Sequence, residues 1–309
     1  MKQSTRRIKP IFFTCLTVLF LGIALFKDWY KTPLLVVRVL FSNDVRFSTT
    51  WLERKLTTRT QIGWTKLRAQ PFDATANDGT LLKCLFVTNS LPKARGTVLV
   101  LHGLGGNKEN ELWLARDLFS TNGFNTIFFD SRAHGESGGR FCTLGVKEAP
   151  DIGIIIKAAE KKFGSLGNIG IFGPSLGSAT TIQAIPITPR LKCAVIFSPF
   201  SKSSEVLNDW KMKWMKELQQ KRMRSDDADI DSVDLLEKAP LVTIPILLAH
   251  GEKDTMMPIE QGRMVFAKLG SVDKRFLPIP QAGHEDMWNT DAPVHDGKTL
   301  REIVVQFFV

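Results

Sequence analysis

Residues 169–180 read Ile-Gly-Ile-Phe-Gly-Pro-Ser-Leu-Gly-Ser-Ala-Thr, an apolar run that breaks into small residues and then resumes as a helix-compatible segment. The pattern predicts a strand, a tight turn and a helix. Inside the turn, Gly173-Pro174-Ser175-Leu176-Gly177 spells G-x-S-x-G. Such a turn holds one non-glycine residue in a strained backbone conformation and lifts its hydroxyl clear of the sheet edge. Gly173 and Gly177 omit the side chains that would collide where strand and helix close together. Pro174 fixes its own φ and pushes Gly173 toward extended geometry, which suits a strand end. Glycine and serine are common in loops, so an ordinary strand-to-helix turn would also satisfy the pattern. Its weight comes from what lies on either side.

Working outward, strands are predicted at 97–101, 126–130, 168–172, 193–197, 244–250 and 275–279, and helices at 110–121, 146–163, 176–185, 259–268 and 299–307. Ahead of them, 69–75 and 81–88 read as two strands joined through Asn77-Asp78-Gly79, a hairpin turn sequence. An opening hairpin followed by repeated βα units predicts an α/β fold: a mostly parallel sheet, helices on both faces, and ligands beyond the carboxyl ends of the strands. Three further segments fall at those ends. His102-Gly103-Leu104-Gly105-Gly106 follows the first parallel strand, and its glycines let backbone amides face a cavity. The N–H groups of Leu104 and of Leu176, the residue after the serine, are the candidate oxyanion-hole donors. The segment lacks the spacing and the Lys-Ser/Thr ending of a phosphate loop, and His102 reads as a side chain that stabilises it. His250-Gly251-Glu252-Lys253-Asp254 places Asp254 to orient an imidazole, with Glu252 as the substitute. Gln281-Ala282-Gly283-His284-Glu285-Asp286 places His284 on a loop, as a base and then an acid. The order Ser, Asp, His, each beyond its own strand, is the order this architecture demands.

With these pieces assembled, the chain from about residue 68 to 309 resembles the α/β-hydrolase family, and within it the bacterial serine hydrolases related to monoacylglycerol lipases, Bem46-like proteins and serine aminopeptidase-type hydrolases. Asp130-Ser131-Arg132-Ala133-His134-Gly135-Glu136-Ser137 is similar to the D-x-R-G-H-G-x-S segment of that group, with Ala133 where glycine is usual. Thr143-Leu144-Gly145 leading into Glu148 and Asp151 fits the family's next helix. The resemblance implies an α/β-hydrolase fold with a helical lid insertion, and hydrolysis through an acyl-enzyme on Ser175 with Asp254 and His284 completing a triad. It implies a carboxylic ester as substrate, of an acyl lipid or similar amphiphile; peptidase or thioesterase chemistry on the same triad, and a non-catalytic scaffold, are the alternatives. The lid is expected at 199–240. There Leu207, Trp210, Trp214 and Leu218 form one helical stripe beside Lys211, Lys213, Lys216, Lys221, Arg222 and Arg224. That face suits either an anionic bilayer or the protein's own active site.

The 309 residues, 43% hydrophobic, suffice for one sizeable core. Four scattered cysteines make no disulfide framework, no C-x-x-C or His/Cys cluster marks a metal, and the chemistry calls for no cofactor. Lys2, Arg6, Arg7 and Lys9 precede an uncharged apolar run at 11–26, the pattern of an export or anchor signal. Gly22-Ile23-Ala24 offers a signal-peptidase site, whereas the continuation through Leu25-Phe26 to a border of Lys27, Asp28, Trp29 and Tyr30 favours an uncleaved anchor. The expected organisation is an N-terminal signal anchor at 1–30, a juxtamembrane connector at 31–66 and the hydrolase domain at 67–309, held on the extracytoplasmic side. A net charge of +10 without a nucleic-acid motif fits membrane proximity rather than a nucleic-acid partner.

Overall fold

Val98 and Val100 of β3 (Gly96–Val100) join one buried apolar cluster and Leu99 joins another, so this strand is covered on both faces. In the computed structural model, which describes residues 67–207, 233–289 and 292–309, β3 lies near the middle of an eight-stranded sheet of order β1-β2-β4-β3-β5-β6-β7-β8. The strands are β1 (Ala69–Thr75), β2 (Leu81–Val87), β4 (Phe124–Phe129), β5 (Ile169–Pro174), β6 (Leu191–Phe197), β7 (Ile246–Gly251) and β8 (Lys274–Ile279). β1 and β2 form an antiparallel hairpin, β2 runs antiparallel to β4, and every later pairing is parallel. The hairpin turns where Gly79 takes a φ of 81° and its amide donates to the Ala76 carbonyl at 2.9 Å.

Helix α1 starts as one turn at Leu112–Leu114 and continues as a π-helical turn over Ala115–Phe119. It is followed by α2 (Glu148–Phe163), α3 (Leu176–Ala184), α4 (Ser203–Leu207), α5 (Leu235–Lys238), α6 (Ile259–Lys268) and α7 (Leu300–Phe308). On one face, Ile152, Ile155 and Ile156 of α2, Ala179 and Ile182 of α3 and Val265 of α6 pack on Leu99, Ile127, Ile171, Ile196 and Leu248. On the other, Leu114 and Phe119 of α1 and Leu300, Ile303 and Val304 of α7 pack on Val98, Val100, Phe128, Phe172, Val195 and Leu247. The sheet alternation therefore divides the core into two layers, the arrangement of an α/β-hydrolase fold.

The departures from the sequence reading are local. The helix expected over 110–121 loses its first turn because Asn107 and Asn110 hold the chain as a turn: Asn110 Oδ1 accepts the Asn107 amide at 2.8 Å, and Asn107 Oδ1 accepts the Glu109 amide at 3.0 Å. Helix α2 starts at Glu148 rather than 146, since the Glu148 carboxylate folds back onto Thr143 and the Gly145 amide. Pro186 turns the end of α3 into a 3₁₀ turn. β5 runs on through Pro174, which pairs with Phe197 and needs no amide there. The expected anchor and connector (1–66) and the middle of the expected lid (208–232), with Trp210 and Trp214, lie outside the described residues. The two ends of that insertion meet: the Ser203 amide donates to Val233 and the Leu235 amide to Ser201. Among the described residues no helix is long and apolar enough to cross a membrane.

Leu99 is fully buried between two parallel neighbours. Leu99→Ala should cost about 2–5 kcal/mol of unfolding free energy, read as a lower urea midpoint with an unchanged m-value.

Candidate active site

Parallel strands present their carboxyl ends at one edge, so the segments after β3, β5, β7 and β8 gather there. Ser175 joins β5 directly to α3 with φ 51° and ψ −115°. Its amide donates to the Phe197 carbonyl of β6 at 2.8 Å, which ties the strained residue to the sheet. The glycines permit the close approach: a Cβ on Gly173 would lie 2.3 Å from the Gly177 carbonyl oxygen, and one on Gly177 would lie 2.9 Å from Leu101 Cβ.

Asp254, His284 and Ser175 come together in a chain of hydrogen bonds. His284 Nε2 is 3.0 Å from Ser175 Oγ, and His284 Nδ1 is 2.7 Å from Asp254 Oδ2. The other carboxylate oxygen, Asp254 Oδ1, accepts the amides of Met256 at 3.0 Å and Met257 at 2.7 Å. Burial would raise the Asp254 carboxyl, but the hydrogen bond and charge of His284 and the Met257 amide outweigh it, leaving it below the usual carboxylate range. Glu252, the substitute acid, is exposed. The two loops are tied together. The Lys253 amide donates to the Ala282 carbonyl at 2.8 Å, and Gly251 lets the 282–283 backbone pass where a Cβ would sit 2.4 Å from Ala282 O.

Leu104 and Leu176 carry the two candidate oxyanion-hole amides. Leu176 is the first residue of α3, where no carbonyl four residues back can accept its N–H. The Leu104 amide has no hydrogen-bond partner among the described residues. The loop lies against the serine, with a Cβ on Gly103 falling 3.8 Å from Ser175 Cβ.

His102, which the sequence reading took as a stabiliser of this loop, and side chains that it did not assign hold the loop in place. His102 Nδ1–H donates to the Gly103 carbonyl at 2.7 Å while Nε2 accepts the Ser131 amide at 3.0 Å, which fixes a neutral tautomer. Burial lowers the His102 imidazole accordingly. His134 Nε2 accepts the Gly105 amide at 3.2 Å. Lys108 is buried against Asp130, whose oxygens take its amide at 2.7 Å and its Nζ at 2.8 Å. Burial alone would lower the Lys108 ammonium, but Asp130, Glu109 and Glu136 hold it above the usual lysine range. Ala133, standing where the family has glycine, adopts a φ of 62°. The signal for this clamp was the Asp130–Ser137 segment, whose fit to a family pattern did not say what its side chains touch. Among the described residues no group of His, Cys, Asp and Glu could hold a metal ion.

A family model described as serine aminopeptidase, S33, matches residues 92–229. The uncharacterized protein YfhR of Escherichia coli K12 is 24% identical over 246 residues, covering 78% of this chain and 81% of that protein. The protein bem46 of Schizosaccharomyces pombe is 24% identical over 208 residues, 67% of each chain. The structure of the Pyrococcus furiosus esterase Pf2001 superposes with a TM-score of 0.61 at 20% identity, covering 79% of this chain and 94% of that one. The fold is that of the α/β-hydrolases, and residues 92–229 match a hydrolase family of that fold.

Glu111, just past the clamped loop, has no side-chain partner among the described residues, and burial pushes it up to about 7 from 4.5. A raised carboxyl penalises the native state once the unfolded chain ionises. The stability is intact below 4.5 and is lost as pH rises through about 7. Glu111→Gln should therefore raise the melting temperature near about pH 8, by up to ~3 kcal/mol in stability, with the gain vanishing in acid. Thermal melts across pH check the sign.

Proposed function

We propose that the protein is a serine hydrolase that cleaves carboxylic esters through an acyl-enzyme on Ser175. The observation that carries this reading is the continuous path from Ser175 Oγ through the His284 ring to a buried, ionised Asp254, at 3.0 Å and 2.7 Å. His284 takes the serine proton as Oγ attacks the carbonyl carbon and returns it to the leaving alcohol, and Asp254 stabilises the imidazolium between these steps. The Leu104 and Leu176 amides donate hydrogen bonds to the developing oxyanion, a contribution typically worth on the order of a hundredfold to a thousandfold per donor. Water then repeats the sequence to release the acid.

The substrate class proposed is an acyl lipid or similar amphiphile, met at a membrane to which the N-terminal segment anchors an extracytoplasmic catalytic domain. Support comes from the sequence: residues 1–66 carry twelve Lys and Arg against three Asp and Glu, around the uncharged run at 11–26. A second reading, peptide hydrolysis by the same residues, is favoured by the serine aminopeptidase description of the matching family.

Ser175→Ala and His284→Ala should each lower turnover of p-nitrophenyl esters by roughly 10⁴-fold or more, and Ser175→Ala should abolish fluorophosphonate labelling without loss of the native melt. Full activity in Ser175→Ala would remove that hydroxyl from the mechanism. A series of esters of increasing chain length, beside aminoacyl amides and thioesters, separates the two readings. A short-chain optimum would count against the lipid, and faster amide cleavage would favour the peptidase.

A further inference from the structure

Two imidazoles face the Asp254 carboxylate. His284 Nδ1 lies 2.7 Å from Oδ2, and His250 Nε2 lies 3.6 Å from the same oxygen. His250 is the penultimate residue of β7 and is fully buried. Its Nε2 is 2.8 Å from the Met257 carbonyl oxygen, which can only accept, so this nitrogen carries the proton. The opposite nitrogen, Nδ1, is buried without a partner among the described residues and is closed off by α6, where a Cβ on Gly262 would fall 2.3 Å from it.

A buried polar atom without a partner costs about 1–3 kcal/mol, so packing alone would favour an apolar ring of similar shape at this position. What the imidazole adds is the N–H given to Met257. That residue bonds in both directions: its carbonyl accepts from His250, and its amide donates to Asp254 Oδ1 at 2.7 Å. A rigid strand end is thus connected through the single residue Met257 to the oxygen that sets the carboxylate's orientation.

The charges around the ring agree with a neutral His250. Asp254 faces it from its own loop, His284 from the loop after β8 and Glu260 from α6. Burial lowers the His250 imidazole, and although the Met257 carbonyl, Asp254 and Glu260 pull the other way, the result stays below the ordinary imidazole range. The carboxylate's charge is left to His284.

We propose that His250 is a positioning residue for the acid of the site: by donating Nε2–H to the Met257 carbonyl it fixes the 254–257 turn so that Asp254 presents Oδ2 to His284. The kinetic consequence rests on the serine-hydrolase reading, whereas the geometric consequence does not. His250→Phe keeps a flat, somewhat larger ring and removes the donor, His250→Gln keeps an N–H, and Gly262→Ala pushes the ring from the α6 side. The full chain and these variants are compared in two ways. The first is kcat, KM and the pH profile on a p-nitrophenyl ester. The second is the low-field proton resonance of the His284 Nδ1–H, which reports the bond to Asp254 without turnover.

In His250→Phe, kcat should fall about 10- to 100-fold with KM nearly unchanged. The acid limb of kcat/KM should move to lower pH, because a displaced carboxylate stabilises the imidazolium less, and the low-field resonance should broaden or shift upfield. His250→Gln should recover most of both readouts, and Gly262→Ala should reproduce the loss in smaller measure. A folded His250→Phe with wild-type kcat, acid limb and resonance overturns the proposal. If that variant does not fold, Gly262→Ala with unchanged kcat and resonance overturns it equally. A wild-type resonance that responds to these substitutions in a protein without Ser175-dependent turnover supports the positioning role and sinks the hydrolase reading instead.

Discussion

The close approach of β5 and α3 around Ser175 is the constraint on which the rest of the site depends. A backbone at φ 51° and ψ −115° costs on the order of 1–3 kcal/mol for a residue with a side chain. That cost is met by packing: Ile171 and Phe172 before the turn and Ala179 and Ile182 after it are fully buried, and each large apolar side chain contributes about 1.5–3 kcal/mol on burial. The serine is held in place because strand and helix cannot part without exposing these residues. The same approach leaves the Leu176 amide at a helix start with no carbonyl four residues back to accept it, so the strained serine and that amide arise from one piece of geometry.

The charged groups near the site differ in whether they are paired. Asp130 and Lys108 are buried as a bonded pair, so removing Lys108 would leave the fully buried Asp130 carboxylate without its counter-charge, a loss typically of about 3–5 kcal/mol. Their contact fixes the loop carrying Leu104 against the turn after β4. Asp254 is buried too, but its partner is an imidazole reachable by the Ser175 hydroxyl, and two backbone amides hold its second oxygen. The first pair is structural because nothing mobile can share its charge. The second is a hydrogen-bonded chain that reaches a hydroxyl, the arrangement on which the proposed chemistry depends.

How much of this was legible in the sequence depends on whether the cause was local. The eight strands, the hairpin and the elbow at 173–177 follow from alternation, glycine placement and turn chemistry within a few residues, and the sheet then sends Ser175, Asp254 and His284 to one edge. The first turn of α1 was not legible, because the apolar spacing of 112–119 says nothing of the Asn107–Asn110 side-chain bonds that displace it. His250 and His134 escaped for another reason. Each reads as the end of an apolar strand or part of a glycine-rich segment, and its role exists only once Met257 or Gly105 has been folded against it.

Ala133 links these levels. At a φ of 62° it occupies a conformation that glycine would take without steric cost, and a residue with a Cβ pays about 1–2 kcal/mol there. Leu144, Ser175, Ser198 and Gln281 are also non-glycine residues at positive φ, and all five lie in loops that leave the carboxyl ends of β4, β5, β6 and β8. The described strain is thus concentrated at the edge where the candidate site assembles. Loops there must turn sharply to bring side chains from separate strands within hydrogen-bond reach, and the two-layered core beneath them is stable enough to hold every turn at once.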